Sequence, residues 1–408
     1  MIITPAKRTL GVQEYYFSRK LKEVASIGAR RAAAGEPPVV NLGIGAPDRM
    51  PPEAAVLKLA EEAVRPGNHA YQSYVGIPQL REAFAAWYAR YYGVALDPSD
   101  EIQPLVGSKE GILLICLAFL DKGDKVLVPD PGYPTYTSAC RLTEAEILTY
   151  ALTEENHWWP DFDALEAMDL TGVKIMWTNY PNMPTGASAT EALYERLVAF
   201  AKKHEILIVN DNPYSFIQTS RPLSILAAPG AKDCCLELNS LSKAHNMSGW
   251  RIGMVAGAAD MIAQVLKVKS QMDSGMFRPL QLAAVEALSQ GPEWYQELNA
   301  GYYQRKEVAA KLFDIIGAHY DPASCGLFLW GRLEPDNPLL DPLQGPGDER
   351  TLGERMSDRL LYDSGIFLTP GFVFGRGGAD YVRASLCATV PVLQEACRRV
   401  EELKKKMK

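Results

Sequence analysis

An α/β fold, with a mainly parallel sheet between helices and a smaller α+β part towards the C-terminus, is the architecture the sequence predicts. Three observations predict it. Short, β-rich apolar runs alternate with helix-periodic stretches through the middle of the chain, the order of βαβ units. These runs are almost continuously apolar, as strands covered on both faces are. Gly and Pro bound them, which stops one element before the next begins.

Taken in order, residues 1–50 are mixed. A helix-like piece over 14–34 leads into a Gly- and Pro-rich loop, and this segment is expected to contribute to the small domain. A large domain is expected over 51–290. Within it, the apolar stretch 111–120 reads as a buried helix, too short to span a bilayer. Strand 125–129, helix 134–141 and strands 145–150 and 173–178 follow. Helix 191–204 leads to strands 206–210, 234–239 and 254–256, and helix 261–269 comes last. The small C-terminal domain is expected over 291–408. It has a long helical pattern through 302–316, short strands near 326–332, 366–369 and 381–385, and a final helix over 390–406. The Pro-, Gly- and Asp-rich stretch 334–348 reads as a surface loop. There are no internal repeats or low-complexity tracts.

Bulk composition narrows the function classes. The 408 residues are 47% hydrophobic and 22% charged, ordinary values for a globular chain large enough to need no disulfide or metal staple. A net charge of −7 opposes general nucleic-acid binding. The basic end Leu403-Lys-Lys-Lys-Met-Lys408 suits a solvated helix terminus beside the negative pole of its dipole. The seven cysteines, Cys116, Cys140, Cys234, Cys235, Cys325, Cys387 and Cys397, form no CxxC pair and read as free thiols of a reducing, cytoplasmic compartment. No apolar run follows the first charges, so neither a signal peptide nor a membrane partner is expected.

The most informative stretch is Ser240-Leu-Ser-Lys-Ala-His-Asn-Met-Ser-Gly-Trp-Arg-Ile-Gly253. It sets Lys243 on a loop just past a strand, with hydroxyls and Arg251 beside it. A lysine there can form an imine with an aldehyde while its neighbours hold an anion, a combination that suits a phosphorylated aldehyde cofactor. Four further motifs supply what such a cofactor needs. Gly107-Ser-Lys-Glu-Gly111 opens a helix whose N-terminus can bind phosphate, with Ser108 adding a hydroxyl and Lys109 a charge; alone it reads equally as a Ser N-cap. Asn210-Asp-Asn-Pro-Tyr214 ends an apolar strand. There Asp211 can keep a ring nitrogen protonated and Tyr214 can reach a ring hydroxyl, or the segment is an Asx turn. In Asn179-Tyr-Pro-Asn-Met-Pro-Thr-Gly186, Asn182 can reach the ring hydroxyl or a substrate carboxylate; otherwise it is a plain turn. In Asp130-Pro-Gly-Tyr-Pro134, Tyr133 can stack on a planar ring or pack in the core. Together the motifs put polar groups at one edge of one sheet.

Pro-Asn-x-Pro-Thr-Gly, Asp-x-Pro-Tyr, and Ser-x-Ser-Lys with Gly-x-Arg-x-Gly, in this order and spacing, resemble the class I/II aminotransferases, the fold-type I family that uses pyridoxal 5'-phosphate (PLP). The resemblance covers nearly the whole chain. It implies a seven-stranded type of sheet and a cytoplasmic homodimer with shared active sites. It implies that Lys243 holds PLP as an internal aldimine and shuttles the proton. Ser108, Ser240, Ser242 and Arg251 match phosphate-binding positions, beside Gly107 and Lys109. Asp211 matches the partner of the ring nitrogen, Asn182 and Tyr214 those of the ring hydroxyl, and Tyr133 the stacking aromatic. Tyr71, five residues before Gly76, matches a tyrosine that reaches the phosphate of the neighbouring subunit. Arg383 matches the arginine that grips the substrate α-carboxylate, and Gly43 the glycine beside it. An arginine fork fits that carboxylate bidentately.

The implied activity is transamination between an L-amino acid and a 2-oxo acid, with 2-oxoglutarate as acceptor. Gly107-Ser-Lys-Glu-Gly-Ile112 and Leu42-Gly-Ile-Gly45 resemble a bacterial subgroup of aspartate and LL-diaminopimelate aminotransferases. Lys267, Lys269 and Arg278 are the candidates for a distal carboxylate. Trp158, Trp159 and Trp330 either line a pocket or pack in the core. Two alternatives share the fold: a PLP-dependent C–S β-lyase or cyclopropane-forming synthase, and an effector-sensing module of a regulator. Residues 1–40 are too short for the DNA-binding domain the last requires. No metal site is expected.

Overall fold

The computed structural model describes residues 2–10, 16–345 and 347–407. Thirteen strands occur among them: β1 Val40–Asn41, β2 Ile102–Leu105, β3 Lys125–Asp130, β4 Glu146–Ala151, β5 Val173–Asn179, β6 Leu207–Asp211, β7 Cys235–Ser240, β8 Gly253–Ala256, β9 His319–Tyr320, β10 Phe328–Arg332, β11 Ile366–Phe367, β12 Thr369–Pro370 and β13 Tyr381–Ser385. A seven-stranded sheet runs β2-β8-β7-β6-β5-β3-β4. β7, β6, β5, β3 and β4 pair in parallel, whereas β8 is antiparallel to both β7 and β2.

Side chains alternate across this sheet as the two-residue period requires. Val126, Val128, Ile175, Trp177, Val209, Leu236 and Leu238 are buried against Ser108–Phe119, Pro134–Leu142 and Ala259–Lys269. Leu127, Met176, Ile208, Cys235 and Met254 are buried on the other side with Trp87, Tyr88, Tyr194 and Leu197. Two covered faces explain the continuous apolar runs. Helix Glu191–His204 starts at Thr190, whose hydroxyl accepts from Leu193 N at 3.1 Å, and stops where Glu205 turns left-handed. Such side-chain capping satisfies a free N–H of the first turn.

Smaller sheets lie outside this core. β12-β13-β10-β9 form one, and β1 pairs in parallel with β11. Helix Pro292–Ile316 packs along helix Val390–Met407.

Several expectations need correction. Strand β2 was missed because Pro104 lies in a four-residue run; it forms an edge, where a missing N–H is tolerated. The single strand expected over 366–369 is split at Leu368, and its halves join different sheets. Lys243 lies on a one-turn helix, Leu241–Ala244, because Ser240 Oγ caps it by accepting from Ser242 N. The helix expected from residue 14 is described from Tyr16; Glu14 and Tyr15 fall outside the described residues, as do Pro346 of the surface loop and Lys408 of the basic end. All seven cysteines are free thiols.

Candidate active site

Strands β2, β3, β5, β6 and β7 all end at one edge of the large sheet, and β8, running the other way, begins there. Open α/β sheets bind ligands at this edge. A cavity of about 400 Å³ opens here, lined by Ser108, Lys109, Tyr133, Asp211, Tyr214, Ser240, Ser242, Lys243, Arg251, Gly43 and Arg383. Residues spread over more than 300 positions of sequence thus share one space.

One end of the cavity suits a phosphate. Ser108 and Lys109 open the helix Ser108–Phe119, so its free N–H groups face the cavity with the positive end of the dipole. Arg251 donates through Nη1 to Ser248 O at 2.9 Å and lies 3.3 Å from Ser242 Oγ. The loops meet at very close range. A Cβ on Gly253 would lie 2.7 Å from Ser108 N, and one on Gly107 would lie 2.1 Å from the Arg251 guanidinium. Gly107 also has φ +77° and ψ 155°, a region that side chains strongly disfavour.

Asp211, at the end of β6, defines the opposite end. It is buried, and Tyr136 OH donates to its Oδ2 at 2.9 Å. Its Oδ1, also buried, has no hydrogen-bond partner among the described residues. Burial raises its pKa from 3.8 to about 7; the Tyr136 hydrogen bond opposes the rise, buried Glu237 adds to it, and Lys243 opposes it. An unpartnered buried acceptor at this place fits the protonated nitrogen of a pyridine ring. Together, the anion-holding end and this carboxylate fit PLP.

Between the ends stands Lys243, whose Nζ donates to Gly45 O at 2.6 Å. Its pKa is lowered, first by burial, which disfavours the ammonium, and then by the Arg383 and Arg251 charges. Cys387 and Asp211 act in the opposite direction. Arg383, on β13, donates through Nη2 to Gly43 O at 2.8 Å and through Nη1 to Met183 Sδ at 3.3 Å. Its guanidinium lies 3.8 Å from the ring centre of Phe328 and 4.6 Å from that of Phe374. Aromatic rings against a planar cation leave its edge as the direction of approach for a carboxylate.

Five expected residues lie elsewhere. Asn182 does not line the cavity: it donates to Asn179 O at 3.2 Å and accepts from Thr185 Oγ1 at 2.8 Å, which holds its amide inside its own loop. Asn179 and Met183 face the cavity instead. Tyr71 is 91% exposed and lines no part of it. Lys269 is buried between Glu110 (3.1 Å) and Asp273 (2.5 Å) and has no route to a substrate. Lys267 is bonded to Gln264 on the outer face of its helix, and Arg278 opens helix Arg278–Leu288 outside the cavity. Trp158 and Trp330 are core residues, the latter stacked on Tyr381 at 4.8 Å.

The sequence did not single out Tyr136, Asn179, Met183, Phe328, Phe374, Ile44 and Leu21, all in the lining. Tyr136 carried a usable signal, standing three residues after Tyr133 where a helix begins at Pro134. Phe328 and Phe374 carried none, because only tertiary packing brings them to Arg383.

A family model described as aminotransferase class I and II matches residues 37–400. The chain is 36% identical over 401 residues to a Nitratidesulfovibrio vulgaris protein named LL-diaminopimelate aminotransferase, with 98% of each covered. It is 39% identical over 369 residues to an Aquifex aeolicus protein of the same name, covering 90% of this chain and 92% of that one. Among solved structures, substrate-bound BacF from Bacillus subtilis superposes with a TM-score of 0.88 at 33% identity, covering 99% of this chain and 98% of that one. A probable N-succinyldiaminopimelate aminotransferase from Thermus thermophilus gives a TM-score of 0.83 at 31% identity, covering 94% and 99%.

Proposed function

Because the chain belongs to the class I and II aminotransferases, which are PLP-dependent, we propose that it moves an amino group from an L-amino acid to a 2-oxo acid through Lys243. The donor becomes a 2-oxo acid and the acceptor an amino acid, with no external oxidant. The family resemblance suggests 2-oxoglutarate as acceptor, and the relatives' name suggests LL-diaminopimelate as donor.

Bound PLP supplies an electron sink for the negative charge that develops at the substrate α-carbon. The chain's residues do the rest. Ser108, Ser240, Ser242, Arg251 and Lys109, with the helix that starts after Gly107, would hold the phosphate. Asp211, whose Oδ1 is buried without a partner, would hold the ring nitrogen in its protonated form, while Tyr136 fixes the carboxyl through Oδ2. Tyr133 and Tyr214, both in the lining, would hold the ring, Tyr133 by stacking and Tyr214 through its hydroxyl. Arg383 clamps the α-carboxylate beside Gly43 and so orients the α-C–H bond. Lys243, whose pKa burial lowers, would take that proton at Nζ and return it along the same face. The observation that carries this reading is the free buried oxygen of Asp211 in the same cavity as a buried lysine. We also propose a homodimer in which exposed Tyr71 completes the phosphate site of the partner.

Borohydride treatment of the holoenzyme, digestion and mass spectrometry test this directly. A reduced cofactor adduct on Lys243 is expected; an adduct on another lysine would overturn the assignment. 2-Oxo acid formation that proceeds equally without an acceptor would overturn transamination in favour of a lyase.

A further inference from the structure

One loop touches both side chains assigned to the substrate. Residues 42–50 run between β1 and helix Glu53–Ala63. In this loop Gly45 O accepts from Lys243 Nζ at 2.6 Å, and Gly43 O accepts from Arg383 Nη2 at 2.8 Å. A backbone carbonyl belongs to a planar peptide unit and points where the chain puts it. The directions of the amine and of the guanidinium therefore depend on how the loop is held.

Its first half is held by close approach and by hydrogen bonds. A Cβ on Gly43 or Gly45 would run into the rings of Phe367 and Phe328, so only glycine lets the chain pass there. Ser385 N donates to Leu42 O at 2.7 Å, and Thr369 Oγ1 donates to Gly43 O at 3.1 Å. The second half has a different anchor. Arg305 donates to the two carboxylate oxygens of Asp48 through Nη1 at 2.7 Å and Nη2 at 2.9 Å. This two-pronged contact fixes direction as well as distance. Arg305 Nη1 also donates to Leu386 O at 3.1 Å, three residues past Arg383. Asn246 Nδ2, three residues past Lys243, donates to Met50 O at 3.1 Å. Arg305 is buried within helix Pro292–Ile316, and neither it nor Asp48 lines the cavity. Their effect on the substrate thus passes through the loop.

We propose that Arg305 and Asp48 are positioning residues of the reaction: their ion pair sets the loop so that Gly45 O directs the Lys243 amine, and Gly43 O the Arg383 fork, at one substrate. This rests on the proposed transamination. A neutral amine has two N–H donors and one lone pair. With one N–H held by Gly45 O, the lone pair is restricted in direction when it takes the α-proton. The same carbonyl accepts from the ammonium so formed, which later gives the proton back. Gly43 O fixes the rotation of the guanidinium, and with it the plane in which a carboxylate is gripped. Because one loop carries both carbonyls, loosening it disturbs proton transfer and carboxylate binding together.

The test compares holoenzymes of the wild type, Asp48→Ala, Asp48→Asn and Arg305→Lys, with LL-diaminopimelate or aspartate as donor and 2-oxoglutarate as acceptor, all rates taken per bound cofactor. Asp48→Ala is expected to lower kcat about 10-fold and to raise the donor KM about 10-fold. Asp48→Asn keeps one acceptor for Arg305 and should fall between Asp48→Ala and the wild type. Lys269→Met, which breaks a buried ion pair outside the loop, controls for lost stability alone and should keep both constants. Hydrogen exchange of the cofactor-free chain gives a readout without turnover: the peptide over 42–50 should exchange faster in Asp48→Ala, while β3 keeps its wild-type rate. Unchanged kcat and KM in a folded variant, a change confined to one of them, or unchanged exchange of the loop each overturns the proposal. If Asp48→Ala does not fold, Asp48→Asn and Arg305→Lys decide by the same criteria. A wild type that turns over neither donor overturns transamination itself, and this inference with it, whatever the exchange shows.

Discussion

Replacing Asp211 by Asn separates the stability of the protein from its use of the cofactor. In the fold without cofactor, burial holds the Asp211 pKa at about 7, against 3.8 as its ordinary value. Below pH 3.8 the folded and unfolded chains both carry the proton, and the group contributes no difference. As pH rises through the window from 3.8 to about 7, the unfolded chain ionises while the folded one keeps its proton, so stability falls. Above the folded pKa both are ionised and the loss is constant. The gap corresponds to about 4 kcal/mol as an upper bound, of which about 2.5 kcal/mol develops between about pH 5 and pH 8. Asn is never charged and escapes this penalty. Urea unfolding of the cofactor-free wild type and Asp211→Asn across this range should show the variant gaining on the wild type as pH rises. The same variant should bind PLP more weakly, because its amide offers the ring nitrogen no negative charge. A difference in stability that does not change with pH would refute the argument, since it would mean that Asp211 is not held neutral by burial.

Lys243→Ala should abolish turnover while the protein keeps PLP noncovalently through the phosphate end; more than about 1% of wild-type kcat would contradict the role given to this amine. Arg383→Lys loses the planar fork between Phe328 and Phe374 and should raise KM for amino donors by about 100-fold with a smaller fall in kcat, measured by steady-state kinetics. Gly107→Ala forces a side chain into φ +77° against the Arg251 guanidinium, costing about 1–3 kcal/mol and weakening PLP affinity in a fluorescence titration. Lys269→Met leaves Glu110 and Asp273 without their cation and should destabilise the fold by about 3 kcal/mol in chemical denaturation, with the preference among donors unchanged.

By itself the sequence determined the alternation of strands and helices, and with it the sheet edge where the site lies. Runs such as Ile206-Leu-Ile-Val carry that information locally, because a strand buried on both faces must be apolar throughout. Lys243, Asp211 and Arg251 were legible for the same reason: each follows or precedes such a strand within a few residues, and strand direction fixes which edge they reach. Only the tertiary structure decided the rest. In the 179–186 loop, facing the cavity is settled by backbone rotation and by the bonds among Asn179, Asn182 and Thr185, so Asn182 turned inward and Met183 outward. Lys269 looked available on the sequence and is sealed between two carboxylates from separate segments. The lining around Arg383 joins Leu21, Ile44, Met183, Phe328 and Phe374, whose distances along the chain bear no relation to their distances in space. Chemistry held by one loop can be read locally; a pocket held by several distant segments exists only once packing has brought them together.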